Sequence, residues 1–349
     1  MAFFAFCGRP KLPRKSKLEY RAMERLVAAD SVEIHVLVDN ASDGLSSNQP
    51  FVENEMAFHW RNGMKAIGGN CLCCAAHGLS CLVKVRKGRR VRTMLFDTGP
   101  DPLVFSRNAR LLKVDFAAID ALMLSHGHWD HGGGILKALD LIAAADGKPE
   151  MPVHMHPGMF ARRAMRAADG TMRQLRDVPK PAEIAKRGGR AILKREGYAA
   201  LDGFFWISGE IPRVTPFERG MPGQYRRTKN GGWELDEALV DERALYVDVA
   251  GLGLIVLSAC SHAGIVNVLE HARMRFPDRP VHCAMGGFHL SGANEAIVPQ
   301  TVAALQALAP RYVAAGHCTG WRAMAELAAS FGEKAMAPLA VGKRFTFAA

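Results

Sequence analysis

Eleven residues, 124–134, constrain the fold of this chain more than any other stretch, because they read Leu-Ser-His-Gly-His-Trp-Asp-His-Gly-Gly-Gly. A largely apolar run at 119–124 precedes the histidines and is short enough to be a buried strand, whereas 135–145 repeats apolar residues at helical spacing. The pattern predicts that the histidines occupy a strand-to-helix turn at the carboxyl edge of a sheet, where open α/β sheets bind ligands.

The spacing of His126, His128 and Asp130 predicts a metal site. Alternate side chains of an extended backbone point the same way, so these three share a face, while His131 turns aside as the chain bends into the helix. Imidazole nitrogens suit zinc and iron, and a carboxylate adds a harder oxygen ligand, so the set suits one or two divalent ions. A metal-free turn is the alternative, but adjacent charged imidazoles would repel one another.

The HxHxDH pattern at 126–131 resembles the signature of the metallo-β-lactamase-fold superfamily. Further motifs resemble the branch usually labelled 7,8-dihydropterin-6-yl-methyl-4-(β-D-ribofuranosyl)aminobenzene-5'-phosphate synthase-like, and they lie at 35–40, 76–80, 95–99, 258–265, 285–290 and 316–320. The resemblance covers roughly 32–347. It implies an α/β fold, a four-layer αββα sandwich of the metallo-β-lactamase type, and a metallohydrolase with a dinuclear site. It says much less about substrate, because one fold hosts many functions.

The resemblance implies two divalent metal ions, which we expect to be zinc, with iron or manganese as alternatives. It implies six side chains as their ligands, namely His126, His128, Asp130, His131, His262 and His317. The two leading histidines would bind the first ion, and Asp130 and His131 the second. His262 stands where many relatives have a bridging aspartate, and His317 where the superfamily has its last histidine ligand. Asp130 is also the expected catalytic residue, which orients a water molecule whose pKa the ions lower.

One ligand of the first metal is unresolved in the sequence. Many relatives supply a further histidine before the bridging ligand, but this chain has none between His156 and His262. The candidate oxygen substitutes are Glu218, Asp241 and Glu242. Alternatively, His262 or His289 fills the place, or the first site stays open. His289 is equally a candidate for contacting substrate.

Three further features have two interpretations each. Asp97, at a predicted strand end, either orients a ligating histidine or caps the next segment. His154 and His156 share a face of a predicted strand, but the superfamily pattern has no ligands there. A cysteine cluster lacks the paired CxxC form of a structural metal site, so we expect buried thiols in a reducing compartment at Cys71, Cys73, Cys74 and Cys81.

The composition, 49% hydrophobic and 23% charged over 349 residues, is typical of a globular protein. We expect one domain at 31–349 and a basic N-terminal extension at 1–30, with a helix at 18–28. No apolar run reaches membrane-spanning length, and the apolar start is a poor secretory signal, so we expect a cytoplasmic protein without a membrane partner. Association with a second copy is left open.

Most of the net charge of +11 lies in an insertion at about 157–232, where 16 Lys and Arg residues stand against 7 acids, a balance of +9. Its density of proline and glycine predicts loops and short helices instead of an independent packed domain. The segment is either a solvated surface or a cap that attracts an anionic substrate.

These features favour a metal-dependent hydrolase, or a related transferase, that activates water on a small anionic substrate, phosphorylated and pterin-like or nucleotide-like. A lactonase or thioesterase of the same fold is the alternative, and it would not need the basic insertion. A nucleic-acid processing or binding protein has weaker support, because the sequence pI of about 9.4 is not accompanied by interleaved aromatic residues. A metal-binding sensor without catalysis is the remaining alternative.

Overall fold

The computed structural model describes residues 25–146 and 150–349. Within these ranges the chain forms three β-sheets and eight α-helices. The helix predicted at 18–28 lies outside the described residues except for 25–28, which are not helical. No helix of the described ranges combines the length and the apolar character that crossing a membrane requires.

The first sheet has eight strands. In spatial order they are β2 (Val52–Glu53), β18 (Arg344–Ala348), β1 (Ser31–Val38), β3 (Ser80–Lys87), β4 (Arg90–Phe96), β5 (Ala121–Met123), β6 (Met151–Met155) and β9 (Gly189–Leu193). Neighbours from β2 to β4 are antiparallel, and those from β4 to β9 are parallel. The carboxyl ends of β4, β5 and β6 therefore meet at one edge of the sheet.

The second sheet has six strands, in the order β10 (Tyr198–Ala200), β11 (Phe205–Ile207), β14 (Ala244–Val249), β15 (Gly253–Ser258), β16 (Val281–Gly287) and β17 (Tyr312–Gly316). The last three strands are parallel, and Ser258 pairs with Gly286 while Gly287 pairs with Gly316. The three segments that follow these strands therefore begin side by side.

Most of the helices lie on the outer faces of the two large sheets. The helices are α1 (Glu55–Arg61), α2 (Pro102–Leu111), α3 (Trp129–Gly132), α4 (Ile135–Asp146), α5 (Pro181–Ala185), α6 (Ile265–Arg275), α7 (Val298–Leu308) and α8 (Trp321–Phe331). Of these, α3 lies instead at the sheet edge, where its Trp129 and Asp130 line a cavity. Phe96 and Val247 belong to a buried apolar cluster between the sheets. A second cluster joins α2 and α4 to the first sheet, and a third joins α6, α7 and α8 to the second. This is the expected αββα sandwich.

Most predicted elements of the core are present. The sequence predicts helices at 265–275 and 321–331 from their apolar spacing, and both have those bounds; alternation at 32–38 predicts a first strand, which is β1. A helix is also predicted at about 295–308, but it begins at Val298, because a 3₁₀ turn occupies Gly292–Ile297. A closing strand is predicted at 340–347, but it begins only at Arg344, after Gly342 turns the chain with φ 83°.

The insertion at 157–232 contains more strand than expected. A third sheet, in the order β13 (Trp233–Leu235), β12 (Gln224–Arg227), β7 (Arg163–Arg166) and β8 (Met172–Gln174), is built largely from it. The insertion also supplies β9 to the first sheet and β10 and β11 to the second. These strands are three to five residues long, which is too short for a hydrophobic alternation to be recognised in the sequence.

The three glycines after the histidine cluster allow two backbone segments to touch. The N–H of Gly133 donates to the carbonyl of Gly99 at 3.0 Å, and that of Thr98 donates to the carbonyl of His131 at 2.8 Å. A Cβ atom on Gly133 would overlap with the carbonyl group of Pro100. The turn between α3 and α4 thus lies directly against the loop after β4.

We expect Gly133→Ala to lower the free energy of unfolding by about 2 kcal/mol or more, because the added methyl group meets backbone that cannot rotate away. Gly69→Ala is the matched control, since a Cβ there would have no neighbour within 4 Å. Urea unfolding of both variants at one fixed zinc concentration measures the difference. Equal stabilities would show that the turn is not closely packed.

Candidate metal centre

Asp97 holds the loop that follows β5. Its Oδ1 accepts the backbone N–H of Ser125 at 2.7 Å, and its Oδ2 accepts the Ser125 hydroxyl at 2.7 Å and the Nδ1–H of His131 at 2.8 Å. The cap of α2 is instead Asp101, whose side chain accepts two backbone N–H groups. Of the two interpretations of Asp97, its contacts match the one in which it orients a histidine.

Four donor atoms form one cluster beside this loop. His131 Nε2, His317 Nε2 and Cys260 Sγ are each 3.2 Å from one another, and both imidazole nitrogens are 3.5 Å from Asp130 Oδ2. Zinc bonds of 2.0 to 2.3 Å in a tetrahedron place neighbouring ligand atoms about 3.3 to 3.6 Å apart. The four atoms therefore have nearly the spacing of a tetrahedral zinc site.

Three histidines form a second cluster that shares Cys260 with the first. His126 Nε2 is 3.0 Å from His128 Nδ1, and the ring of His262 lies 4.7 Å from that of His126 and 4.9 Å from that of His128. The donor atoms of His126, His262 and Cys260 all lie within 4.8 Å of one another. Cys260 Sγ is thus the atom common to both clusters.

The hydrogen bonds of His131 and His126 determine which ring nitrogen faces the clusters. A carboxylate only accepts, so His131 donates from Nδ1 to Asp97, and in the neutral ring the lone pair is on Nε2. The Ser125 hydroxyl donates to Asp97 and accepts from His126 Nδ1 at 2.9 Å, which leaves the lone pair of His126 on Nε2. Both lone pairs point at other donor atoms of the clusters.

His262 and His317 follow the same rule. Glu242 Oε1 accepts the Nδ1–H of His262 at 3.0 Å, and the buried Nε2 of His262 has no hydrogen-bond partner. Asn40 Oδ1 accepts the Nδ1–H of His317 at 2.9 Å and also the backbone N–H of Gly78 at 3.0 Å, which identifies that atom as the amide oxygen. Each ring again presents an unprotonated Nε2 to the clusters.

His128 is oriented in the opposite sense. Its Nε2 lies 2.6 Å from Gln224 Oε1, while the amide nitrogen of Gln224 donates to the carbonyl of Asp236 at 3.3 Å. The amide oxygen can only accept, so Nε2 of His128 donates and Nδ1 carries the lone pair. Five imidazole lone pairs therefore converge with a carboxylate and a thiol, and this donor set fits two divalent cations.

The electrostatics of the two clusters differ. Burial lowers the pKa of His131, but Asp130 and Asp97 outweigh it and raise that pKa to about 10. Burial and the nearby His262 lower the pKa of His128 to about 3, so this ring is neutral at neutral pH. Burial also raises the pKa of the Cys260 thiol, so that binding of a cation there would release a proton.

The three acids that were candidate oxygen ligands lie behind the clusters. Glu242 accepts from the backbone and ring of His262, and Glu218 accepts from two backbone N–H groups at the start of α6. Asp241 binds Arg163 and a backbone N–H of the loop at 124–128. Among the described residues, none of the three belongs to a group of donor atoms within 4.8 Å. Their contacts match supporting roles.

The structure places His154 and His156 away from the clusters. His154 Nδ1 is 2.7 Å from the hydroxyl of Tyr198, and His156 Nε2 is 3.0 Å from Glu210 Oε1. Both histidines are buried and have protein partners of their own. Both histidines therefore contact other side chains of the protein, and neither contacts the donor clusters.

A cavity of about 330 Å³ opens onto both clusters. Apart from the donor atoms, its wall includes the polar residues Asn40 and Ser291 and the apolar residues Trp129, Leu175 and Met221. No lysine or arginine of the described residues lines it. A larger groove of about 830 Å³ between α2 and α4 contains none of the donor residues of either cluster.

His289 lines the same cavity. Its ring lies 4.5 Å from that of His262, its Nδ1 has no hydrogen-bond partner, and its donor atoms group with those of Cys260 and Cys318. His289 has φ 43° and His317 has φ 47°, a backbone region that non-glycine residues rarely adopt. Such strain is concentrated at functional sites, where the surrounding structure enforces it. The geometry leaves open both interpretations of His289, substrate contact and ligation.

Many basic side chains of the insertion are neutralised by acids. Arg187 pairs with Asp140, Arg190 with Glu150, and other pairs involve Arg162, Arg163, Arg195 and Arg226. Because none of these groups lines the cavity, the local charge balance of the insertion overstates the positive charge that a bound molecule would meet.

Sequence reasoning did not assign roles to Cys260, Gln224, Asn40 or His77. Cys260 precedes His262 by two positions, which is the same alternation as that of His126 and His128. The sequence therefore did contain a pattern that could have indicated Cys260 as a ligand. His77 lies at the cavity with its Nε2 3.4 Å from Asp130 Oδ2. Gln224 is a single amide in an arginine-rich segment and carries no recognisable pattern.

Comparison with known proteins agrees with this fold. A family model described as Metallo-beta-lactamase superfamily matches residues 87–204. The chain is 32% identical over 251 residues to the 7,8-dihydropterin-6-methyl-4-(beta-D-ribofuranosyl)-aminobenzene-5'-phosphate synthase of Methanocaldococcus jannaschii, an alignment that covers 71% of this chain and 82% of that protein. An uncharacterised protein of the same organism is 28% identical over 256 residues, covering 72% and 88% of the two chains.

Among solved structures, a metal-dependent hydrolase of the beta-lactamase superfamily is similar with a TM-score of 0.65 and 23% identity, covering 91% of this chain and all of that one (100%). The two facing sheets and the cluster of histidine, aspartate and cysteine side chains at their strand ends define a metallo-β-lactamase-type α/β protein. The chain belongs to the metallo-β-lactamase superfamily. Within it, the similarity to the archaeal synthase extends over most of both chains.

We expect His154→Gln to leave the metal content unchanged and to make stability less sensitive to acid. Burial, followed by Arg243 and Lys194, lowers the pKa of His154 to about 4 from 6.5. The folded state favours the neutral ring, so its contribution is complete above pH 6.5 and is lost as the pH falls toward 4, by about 3 kcal/mol in total.

Urea unfolding of the wild type and of His154→Gln at pH 7.5 and pH 4.5, together with metal analysis, measures both effects. Loss of a metal ion from the variant would contradict the structural role and make His154 a ligand.

Proposed function

We propose that this protein is a metal-dependent hydrolase or related transferase with two divalent ions, zinc in the first instance, at the two donor clusters. The observation that carries the proposal is the convergence of five imidazole nitrogens with Asp130 and Cys260, while the other ring nitrogen of each histidine is held by a hydrogen bond behind the clusters. The Nε2 atoms of His131 and His317 are 3.2 Å apart, close to the spacing of two ligands of one zinc ion, and the carboxylates that raise the pKa of His131 to about 10 favour positive charge at this position, so a cation can replace the proton.

The geometry supports a specific division of the ligands. The second ion would be bound by Asp130, His131 and His317, and the first by the ligands His126, His128 and His262. Cys260 would be shared between them. In this arrangement His262 completes the first site, which the sequence left open, and the thiolate of Cys260 takes the shared position that the resemblance had given to His262.

The bound ions would supply Lewis acidity and a water molecule of lowered pKa. Asp130 would orient that water and accept its proton, since its carboxylate is the oxygen donor of the clusters. His77 is more than half exposed and Asn40 donates to its Nδ1 at 3.1 Å, so its Nε2–H points toward Asp130 and can exchange protons with solvent. The buried histidines exclude bulk water from the remaining positions.

The proposed substrate is a small, phosphorylated, pterin-like molecule. Its support is the similarity to the archaeal protein whose name describes synthesis of a dihydropterin linked to a ribofuranosyl aminobenzene phosphate. Trp129, Leu175 and Met221 give the cavity an apolar surface against which a flat heterocyclic ring can pack. The phosphate would be neutralised by the ions, because the described wall of the cavity contains no lysine or arginine.

A second candidate is a lactonase or thioesterase. The same absence of lysine and arginine from the described cavity wall favours it, since an uncharged carbonyl substrate needs no cationic side chains. The two candidates share the metal chemistry and differ in the substrate.

We expect gently purified protein to contain about two transition-metal ions per chain. His317→Ala should lose one ion, whereas Cys260→Ser should weaken binding of both, because only Cys260 lies in both clusters. Cys74→Ser is the matched control and should retain both ions, since that thiol belongs to neither cluster and, contrary to the expectation of buried thiols at Cys71, Cys73, Cys74 and Cys81, is exposed; Cys71 is partly exposed, and only Cys73 and Cys81 are buried. Inductively coupled plasma mass spectrometry after gel filtration gives the stoichiometries. Wild-type protein without a transition metal would overturn the proposal.

We expect turnover of phosphodiesters or phosphomonoesters to exceed that of lactones and thioesters in a panel assayed at equal concentration. His128→Ala should abolish whichever activity is found, with little change in the circular dichroism spectrum, because the loss is of a ligand and not of packing. Activity confined to lactones or thioesters would favour the second candidate and reject the phosphorylated substrate.

A further inference from the structure

The third sheet touches the metal-binding loop at two points, and one of them is a metal-binding histidine. We propose that this inserted sheet controls occupancy of the first-metal position, with Gln224 on β12 as the positioning residue for His128. The inference rests on the proposed two-metal site, and it concerns only the side of that site formed by the leading histidines.

Gln224 is held rigidly. Its side chain is fully buried, its amide nitrogen donates to the carbonyl of Asp236 at 3.3 Å, and its backbone carbonyl accepts the N–H of Asp236 at 2.9 Å. Its oxygen is thereby aimed at His128 Nε2, 2.6 Å away. With that nitrogen donating, only Nδ1 of His128 is free to bind an ion, and the ring plane is set by the sheet.

The other four histidines of the clusters depend on different parts of the fold. His126 and His131 are oriented by groups at the ends of β4 and β5, His317 by Asn40 after β1, and His262 by Glu242 before β14. These partners all belong to the two large sheets and their edges. His128 alone among the five is oriented from the third sheet.

Arg163 on β7 is the second point of contact. Its Nη1 donates to the carbonyl of Gly127 at 3.3 Å, and its Nη2 donates to Asp241 Oδ1 at 2.5 Å. Asp241 Oδ2 accepts the N–H of Gly127 at 3.0 Å, so both sides of this residue are bound. A Cβ atom at Gly127 would overlap with the guanidinium group. The residue between the two leading histidines is glycine because the insertion packs against it.

Movement of the third sheet would therefore change the first-metal position and the substrate cavity together. The segments before β12 and after β8 supply Met221 and Leu175 to the cavity wall. A molecule that packs against Met221 and Leu175 would press the third sheet toward His128. Loss of the hydrogen bond between Gln224 and His128 would instead free the imidazole ring of His128 to rotate. The second-metal position has no side chain from this sheet among its donors.

The test is the zinc affinity of three variants of the full chain. Gln224→Leu removes the acceptor, Gln224→Asn withdraws it by one methylene, and Gln224→Glu retains it. Tyr225→Phe is the matched control, because its side chain lies on the opposite face of the same strand. Competition with a chromophoric chelator measures the two affinities, and thermal unfolding of the metal-free proteins is recorded in parallel.

We expect Gln224→Leu and Gln224→Asn to lower the affinity for one of the two zinc ions by about 10- to 100-fold and to leave the affinity for the other within about threefold. Gln224→Glu should keep both affinities close to those of the wild type. Unchanged affinities would overturn the inference. Equal weakening of both ions, with lower unfolding temperatures of the metal-free variants, would also overturn it, because Gln224 would then support only the fold. Wild-type protein that binds no zinc would instead overturn the proposed function.

Discussion

The structure depends on the convergence of ligand atoms that the fold forces together. Five imidazole nitrogens, a carboxylate and a thiol meet at the edges of two sheets, and the other nitrogen of each ring is already engaged in a hydrogen bond. Holding such groups together costs free energy unless a cation is present, so the packing of the rest of the molecule must supply it. The interface between the two large sheets, buried on both sides, provides that support.

The donors meet because parallel strands end in register. Cys260 follows β15 and His317 follows β17, and the strand between them ends in Gly286 and Gly287. A Cβ atom at Gly287 would overlap with a backbone oxygen of the segment after β15 and with Cys318. Side chains from the outer two strands can therefore meet above the central one, which contributes only backbone at that point.

The contacts of the insertion at 157–232 matter more to the site than its charge does. Its charge suggested either a solvated surface or a cap for anions, and many of its arginines are indeed paired with acids at the surface. Two of its buried polar residues, Arg163 and Gln224, instead hold the loop that carries His126 and His128. The segment contributes to the site through hydrogen bonds to the loop and not through net charge.

The sequence by itself indicated the sandwich fold through the resemblance of its motifs to the superfamily. It also indicated the strand-to-helix turn at 126–131 and the position of the histidines at strand ends, because alternation and helical spacing are local properties of the chain. Only the tertiary structure decided that Cys260 is the atom common to both clusters, that His262 lies beside His126, and that Glu242 stands behind it. Those contacts join residues far apart in the sequence, and which atoms face each other depends on register, backbone strain and hydrogen-bond direction. Local sequence patterns do not encode these quantities.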